Sequence, residues 1–154
     1  MKLIIAPNAI FRKAAQPVTL FDDALKQKCA DMLGIMKAHN GIGIAANMVG
    51  LLERIIIAPN PDTDQEEPIA MINPEITYAS EEENSYAEAS LSFPGIQAMV
   101  SRPHISRFSY FTADGGEQVT SEAEGFISTV IQHEIDYLDG KVFLDYLLRA
   151  CGPL

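Results

Sequence analysis

The residues best suited to chemistry are His133 and Glu134, within residues 131–140. This stretch is predicted to be a helix, in which His133 and Tyr137, four residues apart, project from one face. A helical His-Glu pair followed by a second His in this register is typical of metal hydrolases: two imidazoles hold the ion and the carboxylate moves a proton. Here Tyr137 stands where the second His belongs, so the motif is present but broken.

The elements that position this motif are expected to form one domain over residues 1–154, because a chain of this length can bury its own core. No apolar run is long enough to cross a membrane and no secretory signal is recognisable, which predicts a cytoplasmic protein without a membrane partner. The formal net charge of −10 argues against a nucleic-acid surface, since phosphate binding needs clustered Lys and Arg. Cys29 and Cys151 are expected to be free thiols.

The first long element is expected to be a helix. Thr19 and Asp22 have the spacing of a capping box with the shorter acid, so the helix should begin there and run to about His39. Asn40 and Gly41 supply a stop that tolerates positive φ. The predicted buried stripe consists of Phe21, Leu25, Met32, Leu33 and Met36.

Small residues are concentrated in the segment 41–50. At this density they allow the backbone to approach another group closely. The plain interpretation is a tight turn that leads into a buried strand. The segment is not a dinucleotide fingerprint, because its third glycine is misplaced and it follows a helix rather than a strand.

The remaining segments alternate strand patterns with turns before the motif helix. Phe126 and Val130 precede His133 on the same face of that helix, which makes this face apolar up to the polar residues. Pro74 predicts an edge or a bend in its strand. The expected segments are strands at 52–58, 69–76 and 98–112, an acidic exposed stretch at 80–85, a hairpin turn at 114–116 with a return strand that begins at 117–120, a helix over about 122–138, and an apolar closing segment at 141–148.

Three stretches together resemble peptide deformylases: 41–50, 88–95 and 132–140. Their order and spacing match the family, the segments 71–76 and 143–147 agree as well, and the similarity covers essentially the whole chain. The resemblance implies an α+β fold of mainly antiparallel sheets around the helix that carries the motif.

Members of this family remove the formyl group from the N-terminal methionine of new bacterial proteins. The resemblance implies a divalent metal (Fe, Ni or Zn) held by one Cys and two His, with a bound water that attacks the formyl carbon. The motif Glu shuttles the proton. A Gln side chain and the backbone N–H after the Cys stabilise the developing oxyanion.

Carried over by position, the family's constellation is only partly present. His133 matches the first metal-binding His, and Glu134 matches the general acid/base. Ser90 occupies the position of the Cys ligand, Tyr137 that of the second His, and Met48 that of the oxyanion Gln. Two of three metal ligands and one oxyanion donor are therefore substituted.

Other positions near the site also matter. The backbone N–H of Leu91 should remain available to an oxyanion. Ala89 replaces a family glycine and places a methyl group beside the site, and Gln97 stands where many relatives carry an Arg near the peptide.

These substitutions predict negligible deformylase activity and no bound cofactor. The hydroxyl of Ser90 is neutral at pH 7, and Tyr137 binds metal only if the ion displaces a phenol proton whose pKa is normally about 10. Met48 removes an oxyanion donor, a loss that typically costs about 10²–10³ in rate. We therefore interpret the chain as a catalytically degenerate relative of the deformylases.

Three alternatives remain open at this stage. One is a metal-dependent hydrolase with weak or altered activity, which uses Glu134 and a poor site at Ser90, His133 and Tyr137. A second is a Ser90–His133 hydrolase dyad with Glu134 nearby. In the third, His133 is a core histidine hydrogen-bonded to Tyr137 or Ser90, Glu134 is a relic or anchors a backbone N–H, and Tyr137 fills the lost metal's volume.

A ligand-binding pocket could remain even if the chain has no catalytic activity. By resemblance the methionine side chain would lie against an apolar surface, so we expect the chain to bind peptide N-termini or another small apolar ligand. The expected substrate-binding positions are Ile42, Gly43, Tyr86, Ala89, Phe126 and Val130, with His133 beside them.

A contact with the ribosome is not expected. Relatives that dock there often use a basic C-terminal helix. Here Leu154 follows soon after Leu148, with Arg149 as the one basic residue between them.

Overall fold

The computed structural model describes residues 1–64 and 67–150, the side chains of 148–150 excepted. In this part of the chain, seven strands lie in sequence between two long helices, and a short third helix follows. The elements are α1 (Asp23–Ala38), β1 (Ile44–Ala45), β2 (Ile55–Pro59), β3 (Pro68–Ala79), β4 (Glu83–Ser90), β5 (Phe93–Pro103), β6 (Ile105–Thr112), β7 (Gly115–Glu124), α2 (Gly125–Leu138) and α3 (Asp145–Ala150), with single 3₁₀ turns at Ala9–Arg12 and Ala46–Val49.

Helix α1 confirms the first predicted helix but begins with a different cap. The side chain of Asp22 accepts a hydrogen bond from the N–H of Leu25 at 2.9 Å, so Asp22 itself is the cap and Thr19 is not. Asn40 ends the segment at φ +55°, as predicted. Burial raises the pKa of the Cys29 thiol to about 11, whereas Cys151 lies outside the described residues. The buried residues of α1 are Leu25, Cys29, Met32 and Met36.

Five strands form one antiparallel sheet in the order β1-β2-β3-β6-β7. The bend predicted at Pro74 is confirmed as a register shift between Ile72 and Glu75, within a strand that is paired on both sides rather than at an edge. Asn73 adopts φ +51° there, and its amide side chain bonds both backbone groups of Val18. The bulge therefore fixes the chain that leads into α1.

Strands β4 and β5 form a separate two-stranded sheet. Residues 80–85 were expected to be acidic and exposed, and most of them are exposed; β4 begins within this stretch, at Glu83. The strand predicted over 98–112 is two strands that separate after Pro103. One face of the β4–β5 hairpin is exposed, which permits its polar residues. Ser85 and Ser101, for example, pair through their hydroxyls at 2.6 Å on that face.

Helix α2 packs across β2 and also contacts β1 and β7. It begins at Gly125 rather than near Glu122, because residues up to Glu124 remain paired with β6 and Gly125 then turns the chain at φ +59°. Nine of its fourteen residues are buried, so the helix is central rather than amphipathic at the surface. This arrangement confirms the expected α+β fold around the motif helix. Within the described ranges, none of the helices is both long and apolar enough to span a membrane.

Candidate active site

Two pairs of side chains connect β4 to α2, and we call them the charged rung (Glu88–His133) and the neutral rung (Ser90–Tyr137). Residues two apart in a strand share a face and lie about 6.6 Å apart along it. Residues four apart in a helix share a face and lie about 6 Å apart. The two spacings match, so both pairs form side by side, at 2.8 Å and 2.6 Å respectively.

The charged rung is held by a buried arginine. Arg102 on β5 donates from Nε and Nη2 to the two oxygens of Glu88, at 2.7 and 2.9 Å. Burial alone would raise the pKa of Glu88, but the hydrogen bonds from His133 and Arg102 and their charges outweigh it, so the pKa lies below its usual value. Because the ionised Glu88 can only accept, His133 donates through Nδ1.

The same arginine connects the charged rung to Asp136 on α2 and to Tyr146 on α3. Nη1 of Arg102 donates to Asp136 at 2.7 Å, and the hydroxyl of Tyr146 donates to the same carboxylate oxygen at 2.7 Å. The guanidinium also lies over the Tyr146 ring, 4.4 Å from its centre. Burial lowers the pKa of Arg102, but Glu88 and Asp136 outweigh this and raise it. The guanidinium is therefore permanently charged and fully paired.

The neutral rung has no charged partner. The hydroxyl groups of Ser90 and Tyr137 bond to each other, and the N–H of Ser92 donates weakly to Ser90 Oγ at 3.3 Å. Tyr137 is wholly buried, which raises the pKa of its phenol. Its ring packs edge-on against Phe11, with 5.6 Å between ring centres. The tyrosine is thus part of the core as well as of the site.

Glu134 lies beside both rungs but belongs to neither. Its Oε2 is buried and has no hydrogen-bond partner in the described part of the chain. Burial raises the pKa of this carboxyl from its usual 4.5 to about 7. A side chain at Gly43 would place its Cβ 2.8 Å from Glu134 Oε1, so the glycine-rich segment approaches the carboxylate closely, as its composition suggested.

Met48 sits behind the site in the 3₁₀ turn. The side chain is almost fully buried, and its sulfur accepts a hydrogen bond from the N–H of Ala45 at 3.3 Å. A thioether carries no donor. The position therefore supplies no proton to any group bound near Glu134.

A pocket of about 290 Å³ opens in front of these residues. Tyr86 and Tyr137 are not in its wall; Tyr86 packs edge-on against Phe126 instead, with 5.5 Å between ring centres. Gln97 is exposed and pairs with Ala89 in the hairpin. The predicted site residues that line the pocket are Ile42, Gly43, Ala89, Ser90, Leu91, Phe126, Val130, His133 and Glu134, and Asn40, Gly41, Ala87, Glu88 and Thr129 complete it.

The structure corrects the expected partners of His133. The ring bonds Glu88, and no hydrogen bond joins it to Ser90 or Tyr137 within the ranges described. The Ser–His contact that a nucleophilic dyad needs is therefore not formed. His133 and Tyr137 touch only through their rings, 5.5 Å apart.

The charged residues behind His133 were missed by sequence reasoning. Glu88 carried a usable signal, since it lies two residues before Ser90 in a strand and so shares its face. Arg102 and Asp136 carried none, because their partners lie 14 and 34 residues away along the chain.

Comparison with known proteins identifies the family and the fold. Residues 1–151 match the model of the polypeptide deformylase family, and the chain belongs to this family. A peptide deformylase-like protein of Rickettsia conorii is 43% identical over 148 residues, which cover 96% of this chain and 80% of that protein. A peptide deformylase of Bartonella tribocorum is 39% identical over 150 residues, covering 96% and 84%.

Solved structures agree in the backbone. The peptide deformylase of Thermotoga maritima is 34% identical and superposes with a TM-score of 0.88, over 94% of this chain and 95% of that one. A class I type b enzyme from Acinetobacter baumannii gives a TM-score of 0.89 at 31% identity, over 95% and 97%.

The residues at the positions implied for the family's metal ligands are His133, Ser90 and Tyr137. Within the described residues, no three His, Cys, Asp or Glu side chains are arranged to hold an ion. Ser90 and Tyr137 direct their hydroxyls at each other, and the pKa of Tyr137 is raised rather than lowered. Of the three positions, His133 alone carries a side chain of a type that commonly binds metal ions in proteins.

Proposed function

We propose that this chain is a deformylase-family protein without deformylase turnover, which retains a pocket for peptide N-termini or a similarly small apolar ligand. The observation that carries the proposal is the hydrogen bond of 2.6 Å between Ser90 and Tyr137. It joins the two substituted ligand positions to each other. A cytoplasmic location and the absence of nucleic-acid, membrane and ribosome partners are parts of the same proposal.

Binding a divalent ion would require the neutral rung to open. The ion would have to replace the Ser90–Tyr137 hydrogen bond and remove a proton from Tyr137, although burial already disfavours the charged phenolate. A full Cys and His ligand set offers an ion on the order of 10–16 kcal/mol. One imidazole and two neutral hydroxyls offer far less, so we expect no stable metal and no activated water.

The oxyanion position adds an independent defect. The sulfur of Met48 accepts a hydrogen bond and donates none. Loss of one such donor typically lowers a rate by about 10²–10³. Even with a weakly bound metal, the site would therefore stabilise the oxyanion poorly.

The test is restoration of the family's residues. We expect the natural chain, offered Fe²⁺, Ni²⁺ or Zn²⁺ and then desalted, to retain far less than one metal per chain and to leave formyl-Met-Ala-Ser unhydrolysed. The triple variant Ser90→Cys, Tyr137→His, Met48→Gln should retain close to one metal and hydrolyse this peptide. Mass spectrometry of metal content and an amine-release assay give the two readouts.

A matched control separates metal binding from proton transfer. Glu134→Gln added to the triple variant should retain the metal and lose the hydrolysis. Stoichiometric metal and efficient turnover by the natural chain would overturn the proposal and favour the metal-dependent hydrolase.

A second candidate function is a weak or altered amide hydrolase that uses Glu134. The observation in its favour is the raised pKa of this carboxyl, about 7, which suits a general base at neutral pH. Slow hydrolysis of formyl-Met-Ala-Ser by the natural chain, abolished by Glu134→Gln and unchanged by a chelator, would support it. Equal background rates for both proteins would remove it.

A further inference from the structure

A second concavity, which we call the N-terminal groove, is formed by parts of the segments 6–12, 93–96 and 142–144. Its volume is about 600 Å³, and it shares no lining residue with the active-site pocket. We infer that the N-terminal groove binds a small amphiphile with one alkyl chain and one carboxylate head, the chemistry of a medium-chain fatty acid. The inference concerns a different site from the proposed pocket for peptide N-termini and is independent of it.

The inner surface of the N-terminal groove is apolar. Its most deeply buried lining residues are Phe11 and Val142, each 3% exposed. Phe93 and Leu144 are half-buried, and Ile96 is 42% exposed, so apolar surface remains open to solvent inside the groove. The volume lies in the range typical of small-molecule pockets, about 300–1,000 Å³. The groove can therefore accept an alkyl chain.

The walls of the N-terminal groove are held in place by contacts within the chain. The N–H of Ala6 donates to the carbonyl of Ser92 at 2.8 Å, which connects the N-terminal segment to the turn between β4 and β5. Arg12 donates to both carboxylate oxygens of Asp145 at 2.7 and 2.9 Å, which connects the same segment to α3. A preformed groove lowers the cost of binding, because little has to be ordered when the ligand enters.

Two lysines beside the N-terminal groove carry charges without a partner. Lys13 directly follows the lining residue Arg12, and Lys141 directly precedes the lining residue Val142. The two segments adjoin, since a Cβ built at Gly140 would lie 3.4 Å from the backbone nitrogen of Lys13. Both lysines are exposed, and neither forms an ion pair within the described residues.

Unpaired positive charge is scarce in this chain, whose formal net charge is −10. Four lysines form no ion pair in the part of the chain that the structure describes: Lys2, Lys13, Lys37 and Lys141. Two of these four lie beside the groove. The carboxylates closest to Lys141 in sequence are already paired, Asp139 with Arg54 and Asp145 with Arg12. This side of the groove is therefore locally positive and attracts an anion.

A small amphiphilic carboxylate matches both features of the groove. Its alkyl chain would cover the apolar inner surface, and the flexible stems of Lys13 and Lys141 can bring their ammonium groups to its head. Hydrogen bonds between ammonium and carboxylate groups are charge-assisted and stronger than neutral ones. An acidic protein surface is a poorer occupant, because the net charge of this chain repels it over a wider area.

Three ligands with the same ten-carbon chain separate the contributions of chain and head. Calorimetric titrations of the natural chain should use decanoate, decanol and decylammonium, each below its micelle concentration. We expect decanoate to bind about fivefold or more tighter than decanol, and decylammonium to bind more weakly than decanol. Raising the salt concentration from about 0.05 M to about 0.5 M should remove most of this preference, because the lysines are exposed.

Variants then locate the site. Lys141→Glu should weaken decanoate about fivefold or more and leave decanol within about twofold. Lys37→Glu, at another lysine without an ion pair among the described residues, is the matched control and should change neither affinity. Ile96→Asp places a carboxylate inside the groove and should weaken decanoate more than decylammonium. Met99→Asp, on the same strand at a 62% exposed position outside the lining, should leave both affinities unchanged.

Several outcomes would overturn the inference. These are no binding of decanoate, equal affinities for decanoate and decanol, and equal losses in Lys141→Glu and Lys37→Glu. Phe126→Ala alters the active-site pocket and should leave decanoate binding unchanged. A loss of decanoate binding in that variant would place the ligand in the active-site pocket and overturn the inference too. Binding of formyl-Met-Ala-Ser is measured separately, so the pocket proposal is unaffected by each of these results.

Discussion

The two rungs between β4 and α2 have the same geometry, but one consists of charged groups and the other of two neutral hydroxyl groups. Glu88 of the charged rung is fixed by Arg102, which a different strand supplies and which also holds Asp136. The neutral rung consists of Ser90 and Tyr137 alone, each satisfying the other's hydroxyl. Changing one residue of the charged rung would leave a buried charge without its partner, whereas the two hydroxyls of the neutral rung satisfy each other and need no charged partner.

The largest effect is expected at the centre of the charged rung. Arg102→Met should lower the free energy of unfolding by about 3–5 kcal/mol, because the buried Glu88 and the partly buried Asp136 would lose their cation. Urea unfolding of the natural chain and the variant measures the loss.

The exposed pair on β6 and β7 provides the control for this prediction. Arg107→Met removes a guanidinium paired with Glu122, with both side chains at least half exposed, and should cost a small fraction of the loss at Arg102. Equal losses at the two arginines would show that the charged rung is no more than a surface ion pair.

The next effect concerns Glu134, which belongs to neither rung. Its pKa rises from 4.5 in the unfolded chain to about 7 in the folded protein, so the unfolded state loses its proton first. Stability is therefore lost as the pH rises from about 4.5 to 7. Glu134→Gln should match the natural chain near pH 4 and exceed its free energy of unfolding by about 3 kcal/mol at pH 8.

Urea unfolding of both proteins from pH 4 to pH 8 checks this dependence. For Glu122→Gln, at an exposed position, the difference in the free energy of unfolding from the natural chain should not increase comparably with pH. A difference between Glu134→Gln and the natural chain that stays constant with pH would contradict the buried, unpartnered carboxyl.

The smallest effect is an asymmetry within the neutral rung. Ser90→Ala leaves the buried hydroxyl of Tyr137 without a partner and should cost about 1–3 kcal/mol. Tyr137→Phe leaves Ser90, which can bond water in the pocket, and should cost about 0.5–1.5 kcal/mol. The double variant should cost less than the two single changes combined, since it leaves no orphaned hydroxyl.

A double-mutant cycle by urea unfolding measures this coupling. Ser85→Ala, which breaks a hydroxyl pair on the exposed face of the hairpin, is the control and should change stability by less than about 0.5 kcal/mol. Strict additivity of Ser90→Ala and Tyr137→Phe would mean that the two hydroxyls do not depend on each other.

Some features around the site were predicted from the sequence, and others were not. The motif helix followed from residue types and spacing, whereas the family and the positions that correspond to its metal ligands followed from the resemblance; the family is confirmed. The start of β4 and the division between β5 and β6 were not recognised, because a hairpin with one exposed face carries polar residues at the same frequency as a loop. The single domain and the roles assigned to individual site residues stay predictions.

The sequence by itself determined which residues of the motif helix could do chemistry, because periodicity places His133 and Tyr137 on one helix face, and the family resemblance added Ser90. Only the tertiary structure decided which of them meet, since the distance between β4 and α2 is set by packing over many residues of the core. In the packed core His133 is hydrogen-bonded to Glu88, and Ser90 is hydrogen-bonded to Tyr137. Arg102 on β5 donates hydrogen bonds to Glu88. The packing also left Glu134 Oε2 buried without a hydrogen-bond partner among the described residues.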